Sequence, residues 1–200
     1  MKTPAPLEAN FTKASLIVAE TRIVAGWLLE GIDEREWKVR VEEQNELRAR
    51  TVNTAKSYAA IARYRLQTCD PELWETVREA ALPVATQATL VATLKFSPLI
   101  ALFMRTALAD EYKRMSPTLE DHVWTSFFND QALHHDNLAS VSAGTQTKLR
   151  QNAYRILTEA GYLGRLRNHP LQLVRVYPEV QNYLISRDEQ SLLAAMECGQ

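Results

Sequence analysis

A stretch of low charge near the middle of the chain, residues 84–114, limits what this chain can fold into. Residues 84–109 carry only two charged side chains, Lys95 and Arg105. A membrane span needs about 20 predominantly apolar residues, and a lysine at the bilayer centre costs roughly 2.5 to 3.5 kcal/mol. Threonine, glutamine and serine also interrupt this stretch. It therefore predicts the buried centre of a helical domain rather than a membrane span.

The pair Ser97-Pro98 divides this stretch into two helices. Proline cannot continue a helix but suits its first turn, and a preceding serine can cap the exposed amides. Apolar residues recur at helical spacing on both sides: Leu90, Val91 and Leu94 before the break, and Leu99, Leu102, Phe103 and Leu108 after it. We therefore expect two core helices that meet at a corner.

Composition and the N-terminal segment favour a cytoplasmic protein. The 200 residues are 46% hydrophobic and 24% charged, which is ordinary for a folded soluble chain. No apolar run follows the first lysine, so neither a secretory signal nor an anchor is expected. Cys69 and Cys198 lie far apart without a CxxC motif, which favours free thiols in a reducing compartment.

Basic residues are concentrated in two segments although the net charge is only -1. Residues 47–66 contain five basic and no acidic side chains, and residues 145–187 contain seven basic and two acidic ones. Such asymmetry is an argument about partners and indicates a polyanion. The candidate residues for binding such a partner are Arg48, Arg50, Lys56, Arg63, Arg65, Lys148, Arg150, Arg155, Arg165, Arg167 and Arg175.

The first half of the chain reads as a series of helices. Periodicity predicts helices at 14–30, ended by Gly31, from Asp33 to about 44, from about 51 to 67, and at 72–81. A turn at 45–50 precedes the basic helix. This layout fits a helix-turn-helix, and it equally fits an ordinary three-helix packing with a basic solvated face.

In the second half, the sequence Met-Ser-Pro-Thr at 115–118 predicts a boundary between domains 1–115 and 119–200. Helices are expected at 119–131, 145–162, 179–184 and 188–196, with a loop at 132–144. The branched run at 171–177 favours one or two short strands. The predicted fold is mainly α and two-lobed, with a β-ribbon that resembles a winged helix; a helical bundle with a ribbon edge is the alternative.

Motifs that carry chemistry are missing from the sequence. Its six glycines form neither a phosphate-cradling loop nor a dinucleotide fingerprint, and no GxSxG elbow occurs. The cluster at 134–136, His-His-Asp, lacks the spacing of metal ligands, so a solvated loop is expected there. We therefore expect a protein without catalytic activity, cofactor, metal or small-molecule substrate.

Several phrases, in this order and spacing, resemble the BrxA proteins of bacterial BREX bacteriophage-resistance systems. They are GWLLEGID with Trp37, then Asn45, Leu47, Arg50, Thr54-Ala55, Arg63, Arg65-Leu66 and Pro71-Glu72-Leu73-Trp74; Gln87, Leu90, Lys95, Ser97 and Phe103; KLRQNAYRILTEAGYL; and the closing PEVQNYL. The resemblance spans nearly the whole chain. No single phrase is diagnostic, and the specificity comes from the set.

The resemblance implies a cytoplasmic, mostly helical protein in two lobes, similar in part to the NusB antitermination fold, that binds double-stranded DNA. It also implies association with other BREX proteins as a possible further partnership. It brings no catalytic motif and defines no DNA-contacting residues, so the candidate residues above come from charge alone. The segment 132–144 follows no family pattern.

Three functions stay open at this point. The first is a DNA-binding accessory of phage defence that contacts phosphates without reading sequence. The second is a helical adaptor that recruits other defence proteins. The third is RNA binding, which the NusB likeness suggests, although Tyr58, Tyr64 and Tyr154 form no recognisable stacking platform in the sequence.

A wing is predicted at the turn that precedes 171–177. There Arg165, Arg167 and Arg175 are expected to follow the DNA backbone. Alternatively, these arginines pair with the acidic first lobe and fasten the two halves together.

Overall fold

The computed structural model describes residues 7–200, and this part of the chain is mainly helical. The α-helices are α1 (Val18–Glu30), α2 (Glu34–Lys38), α3 (Val52–Leu66), α4 (Pro71–Glu79), α5 (Leu82–Phe96), α6 (Pro98–Phe103), α7 (Ala109–Lys113), α8 (Asp121–Ala132), α9 (Asp136–Ala139), α10 (Ala143–Glu159), α11 (Pro178–Ser186) and α12 (Gln190–Met196). Two π-helical segments extend them: Val39–Glu43 follows α2, and Met104–Leu108 joins α6 to α7. The mainly helical class predicted from the sequence is confirmed.

The chain divides into two compact units. The first unit consists of Leu16–Phe96 and Tyr177–Tyr183. The second unit consists of the described residues up to Ser15, together with Ser97–Val176 and Leu184–Gln200. The boundary expected at 116–118 lies inside the second unit, and the division into domains 1–115 and 119–200 stays a prediction.

Helix ends in the first unit are fixed by capping residues. Asp33, Thr51 and Asp70 precede α2, α3 and α4, and each side chain accepts a hydrogen bond from the backbone N–H three residues later. These bonds satisfy amides that have no partner within the helix. Gly31 ends α1 at a φ of +66°, a conformation that glycine adopts without strain.

Helix α5 is the buried centre of the first unit. Its residues 87–94 are buried without interruption, and Leu90, Val91 and Leu94 have no exposed surface. Two of the polar interruptions are satisfied within the helix, because the hydroxyl groups of Thr89 and Thr93 donate to the carbonyls four residues earlier at 2.8 and 2.9 Å. The predicted core helix is therefore confirmed.

Among the described residues, no single helix is long and apolar enough to cross a membrane. Only together do α5 and the segment Pro98–Lys113 reach that length and apolarity, and this pair is bent by 106°. The break falls at Ser97, as predicted. Ser97 does not cap α6, however; its hydroxyl donates instead to Oδ1 of Asn10 at 2.7 Å.

Trp124 of α8 is the centre of an aromatic cluster in the second unit. Its ring centroid lies 4.8 Å from that of Phe103, 5.8 Å from that of Phe127 and 6.2 Å from that of Phe11. Edge-on and tilted arrangements of this kind stabilise aromatic pairs. The apolar face predicted for 119–131 is therefore the buried face of α8.

The segment 132–144, predicted as a loop, contains the short helix α9. Leu138 of α9 is fully buried, so this segment contributes to the core of the second unit. Helix α10 begins two residues before the predicted start, because Ser142 caps it by accepting a hydrogen bond from the N–H of Thr145 at 3.3 Å.

The strand prediction for 171–177 is wrong, and with it the winged-helix detail. Within residues 7–200 only isolated antiparallel bridges occur, between Leu163 and Leu171 and between Thr118 and Pro170. One carbonyl of this segment is satisfied by a side chain, since the hydroxyl of Tyr112 donates to the carbonyl of Gln172 at 2.7 Å. A branched run favours a strand only where a ladder partner is present.

Candidate nucleic-acid interface

The turn at 45–50 presents two of the predicted arginines to solvent. Arg48 and Arg50 are exposed, and Arg48 lies in the left-handed region with a φ of +52°. Asn45 holds the turn in shape: its amide donates to the carbonyl of Ala49 at 2.9 Å, and its Oδ1 accepts from the N–H of Ala49 at 3.0 Å. Within residues 7–200, neither arginine has a carboxylate at salt-bridge distance.

Lys56 and Arg63 of α3 are neutralised by glutamates. Lys56 pairs with Glu42 at 2.9 Å, and Arg63 pairs with Glu34 at 2.7 Å. The guanidinium of Arg63 also lies 4.6 Å from the ring centroid of Trp37, a cation–π contact. These two charges are therefore committed to contacts inside the first unit.

Arg65 does not belong to a binding surface. Only 1% of it is exposed, and its guanidinium donates to the carbonyl of Leu16 at 3.3 Å. It lies beside Ala62 and Leu66 on the buried face of α3. Its role in this structure is to satisfy the backbone at the start of α1, so the expectation that it contacts DNA is corrected.

Helix α10 carries the next group of predicted residues. Lys148 and Arg155 are exposed and seven residues apart, which places them on the same face of the helix. Arg150 is half-buried and pairs with Asp121 at 2.6 Å. Arg150 therefore differs from its neighbours, because its charge is already compensated.

The turn 165–169, which we call the arginine turn, follows α10. Arg165 and Arg167 are both exposed. The turn is closed by the N–H of His169, which donates to the carbonyl of Leu166 at 3.0 Å, and by the N–H of Gly164, which donates to the carbonyl of Pro170 at 2.8 Å. Arg175 is exposed beyond the turn.

Four predicted arginines line one groove in the second unit. This groove, of about 720 Å³, is bordered by Arg150 and Arg155 of α10 and by Arg165 and Arg167 of the arginine turn. Lys148 and Arg175 do not line it. The structure thus brings together residues from two segments of the sequence that are ten or more positions apart.

The groove has an excess of positive charge. Its carboxylates are Asp121, which pairs with Arg150, and Glu159. In the part of the chain that the structure describes, Arg155, Arg165 and Arg167 have no carboxylate within salt-bridge distance. Three guanidiniums on one rim are therefore available to an anionic partner.

An aromatic wall supports the groove. The rings of Tyr154 and His169 meet edge-on with centroids 5.0 Å apart, and the hydroxyl of Tyr154 donates to the carbonyl of Glu120 at 3.0 Å. Burial, followed by the negative charge of Asp121, raises the pKa of Tyr154 above its ordinary value. The phenol therefore stays neutral, and its hydrogen bond ties α10 to the residue before α8.

A family model described as BrxA matches residues 6–188. The chain belongs to the BrxA family. The resemblance predicted from the sequence is therefore confirmed.

Similar proteins agree with this family. A protein named BREX protein BrxA from Paramagnetospirillum magneticum (strain ATCC 700264 / AMB-1) is 35% identical over 191 residues, which cover 95% of this chain and 96% of that protein. Another BREX protein BrxA, from Escherichia coli O9:H4 (strain HS), is 34% identical, with 91% and 85% covered. The crystal structure of an uncharacterized protein from Magnetospirillum magneticum superposes with a TM-score of 0.87 at 31% identity and covers 97% of this chain.

Sequence reasoning missed the neutralising partners in this BrxA-family chain. Glu34, Glu42 and Asp121 decide which basic residues are available, and they lie 29, 14 and 29 positions from the residues they pair with. No local spacing rule reports such pairs. Leu166, between Arg165 and Arg167 in the arginine turn, is exposed as well, and the sequence does show an apolar residue between two basic ones at this place.

Proposed function

We propose that this chain is a component of a BREX bacteriophage-defence system that binds double-stranded DNA. The names of its relatives support the BREX assignment. The observation that carries DNA binding is the rim formed by Arg155, Arg165 and Arg167, three guanidiniums that line one groove and have no carboxylate partner among residues 7–200. Because the net charge is -1, this rim is a local feature and not the result of a generally basic composition.

The proposed contacts are to phosphates. Guanidiniums donate to phosphate oxygens in fixed, often bidentate geometry, and such contacts position a protein without reading the bases. Neutralising phosphates releases condensed counterions, so the affinity falls steeply with salt. We therefore expect binding with little sequence preference, by a protein that acts in the cytoplasm without catalysing a reaction.

A second candidate function is single-strand recognition in the first unit, which corresponds to the RNA-binding alternative. Tyr64 is 57% exposed and stacks on Phe96 with an interplanar angle of 6°. It borders a cavity of about 360 Å³ that Trp37 and Arg63 also line. Aromatic faces of this kind can stack bases. Quenching of tryptophan fluorescence by single-stranded RNA, lost in Tyr64→Ala, would support this function.

The test of duplex binding is a mobility-shift titration with duplex DNA, single-stranded DNA and RNA of matched length at two salt concentrations. Arg165→Glu/Arg167→Glu should lower duplex affinity by about tenfold or more at low salt, since two phosphate contacts become repulsive. Its melting temperature should be unchanged, because exposed charges contribute little to folding.

The matched control is Lys113→Glu/Arg114→Glu. These side chains are 75% and 70% exposed, belong to the same unit, do not line the groove, and give the same change in net charge. An equal loss in both double variants would show that net charge and not the groove matters. Failure of the unmodified protein with all three nucleic acids would favour a helical adaptor that recruits other defence proteins.

A further inference from the structure

We propose that Leu166 is a wedge that enters the minor groove of the bound duplex, opens a base step and bends the DNA. This inference rests on the proposed duplex binding. Phosphate contacts alone would not select a groove of the DNA, touch its bases or change its shape. The wedge would do all three.

The position of Leu166 is the first observation. The residue is 67% exposed in the arginine turn, where its carbonyl accepts from the N–H of His169 and the bend is formed by Arg167 and Asn168 beside it. A single exposed leucine needs no explanation in itself. This one, however, stands between Arg165 and Arg167, which are both exposed and, within the described chain, have no carboxylate at salt-bridge distance.

The charges on either side of Leu166 indicate which kind of partner contacts it. An apolar protein partner would have to cover two uncompensated guanidiniums, which is costly. The DNA minor groove accommodates both groups, because its negative potential attracts arginine and its floor admits apolar side chains between base pairs. Proteins that kink DNA combine these same two elements.

Contacts at its end and its base hold the arginine turn in one shape. His169 closes the turn with a φ of +46°, and its carbonyl accepts from the N–H of Leu119 at 3.0 Å. Gly164 at the base lies so close to Pro170 that an added Cβ would be 2.6 Å from its Cγ. A wedge must transmit force to the base step, and a turn tied to its neighbours does so with little loss of entropy on binding.

Additional phosphate contacts can offset the cost of opening a base step. Unstacking a base step costs a few kcal/mol, and the bend it produces brings more phosphates to the protein. In this chain those phosphates would meet Arg155, on the same groove as the arginine turn, and Lys148, on the same face of α10. The wedge and the basic helix therefore act on one duplex.

The experiment measures bending and unstacking separately from binding. A duplex of about 30 bp with a donor and an acceptor at its ends reports bending, and 2-aminopurine within it reports unstacking; wedge proteins kink DNA by roughly 20 to 90°. The unmodified protein should shorten the end-to-end distance and raise 2-aminopurine fluorescence. Leu166→Ala should lose about half or more of both signals while its affinity falls only a few-fold.

Two variants keep the result interpretable. Leu133→Ala removes a leucine that is 81% exposed in the same unit and away from the groove, and it should bend DNA like the unmodified protein. Leu166→Phe keeps an apolar wedge and should retain bending. Bound but unbent DNA with the unmodified protein, or full bending by Leu166→Ala, overturns the wedge while duplex binding stands. If the unmodified protein binds no duplex, the proposed function fails and this inference fails with it.

Discussion

Two arginines of α3 have opposite roles. Arg63 lies near the surface, paired with Glu34 and placed over Trp37, whereas Arg65 is buried and donates to the carbonyl of Leu16. A charge taken out of water is tolerated only where hydrogen bonds compensate its lost hydration. Truncating Arg65 should therefore destabilise the first unit, because the Leu16 carbonyl then loses this donor.

We expect Arg65→Ala to lower the free energy of unfolding by about 3 kcal/mol, because it leaves a cavity and removes the donor to the Leu16 carbonyl. Arg50→Ala, at an exposed position, should stay within about 0.5 kcal/mol of the unmodified protein. Urea denaturation followed by circular dichroism measures both. Equal, small effects would mean that the guanidinium of Arg65 is not buried in solution.

Cys198 should make the free energy of unfolding decrease at alkaline pH. Burial raises the pKa of its thiol from 9.0 to about 12. A raised pKa favours the neutral thiol in the folded state, so its contribution is complete below about pH 9 and is lost as the pH rises towards 12. From about pH 8 to pH 10.5, the unmodified protein should lose about 1 to 2 kcal/mol more than Cys198→Ser in urea denaturation. Parallel pH profiles would contradict this.

At the level of elements, periodicity predicted the helices that carry their own apolar stripe. Helices α5 and α10 are of this kind, and their predicted ends agree with the structure to within a few residues. The elements that sequence reasoning missed depend on distant contacts. Leu138 makes α9 part of the core, and the hydroxyl of Tyr112 donates to the carbonyl of Gln172, which a β-ladder would otherwise have to pair.

The arginine turn should be sensitive to substitution of Gly164, which lies at its base. Gly164→Ala places a Cβ against the ring of Pro170, so we expect a loss of about 1 to 3 kcal/mol in stability from the forced shift. Gly144→Ala is the matched control, because no described neighbour lies within 4 Å of a Cβ added at this position in the first turn of α10. That variant should be neutral or slightly more stable. Thermal unfolding of the two variants decides whether the close approach exists in solution.

At the scale of the whole molecule, the sequence located the basic segments but did not show which of their charges are available to a partner. Of the eleven candidate residues, Arg65 is buried, and Lys56, Arg63 and Arg150 are paired with carboxylates. Burial and pairing depend on tertiary contacts, which a count of charges does not contain. The family resemblance supplied the partner class, because no motif in the chain specifies DNA.

The salt dependence of duplex binding measures how many basic side chains of the whole molecule contact phosphates. Six candidate residues are exposed and, among residues 7–200, have no carboxylate at salt-bridge distance: Arg48, Arg50, Lys148, Arg155, Arg165 and Arg167. If each neutralises one phosphate, the slope of log K against log salt is about -5, at roughly 0.9 per phosphate.

Variants in the first unit test whether its turn takes part. Arg48→Ala/Arg50→Ala should reduce the slope by about 1.8, since two phosphate contacts disappear. Lys56→Ala/Arg63→Ala removes two basic residues that already pair with glutamates, so the slope should change little. Binding isotherms from about 50 to 200 mM salt give both values. An unchanged slope in Arg48→Ala/Arg50→Ala would restrict the interface to the second unit, because the affinity would then depend only on the groove and α10.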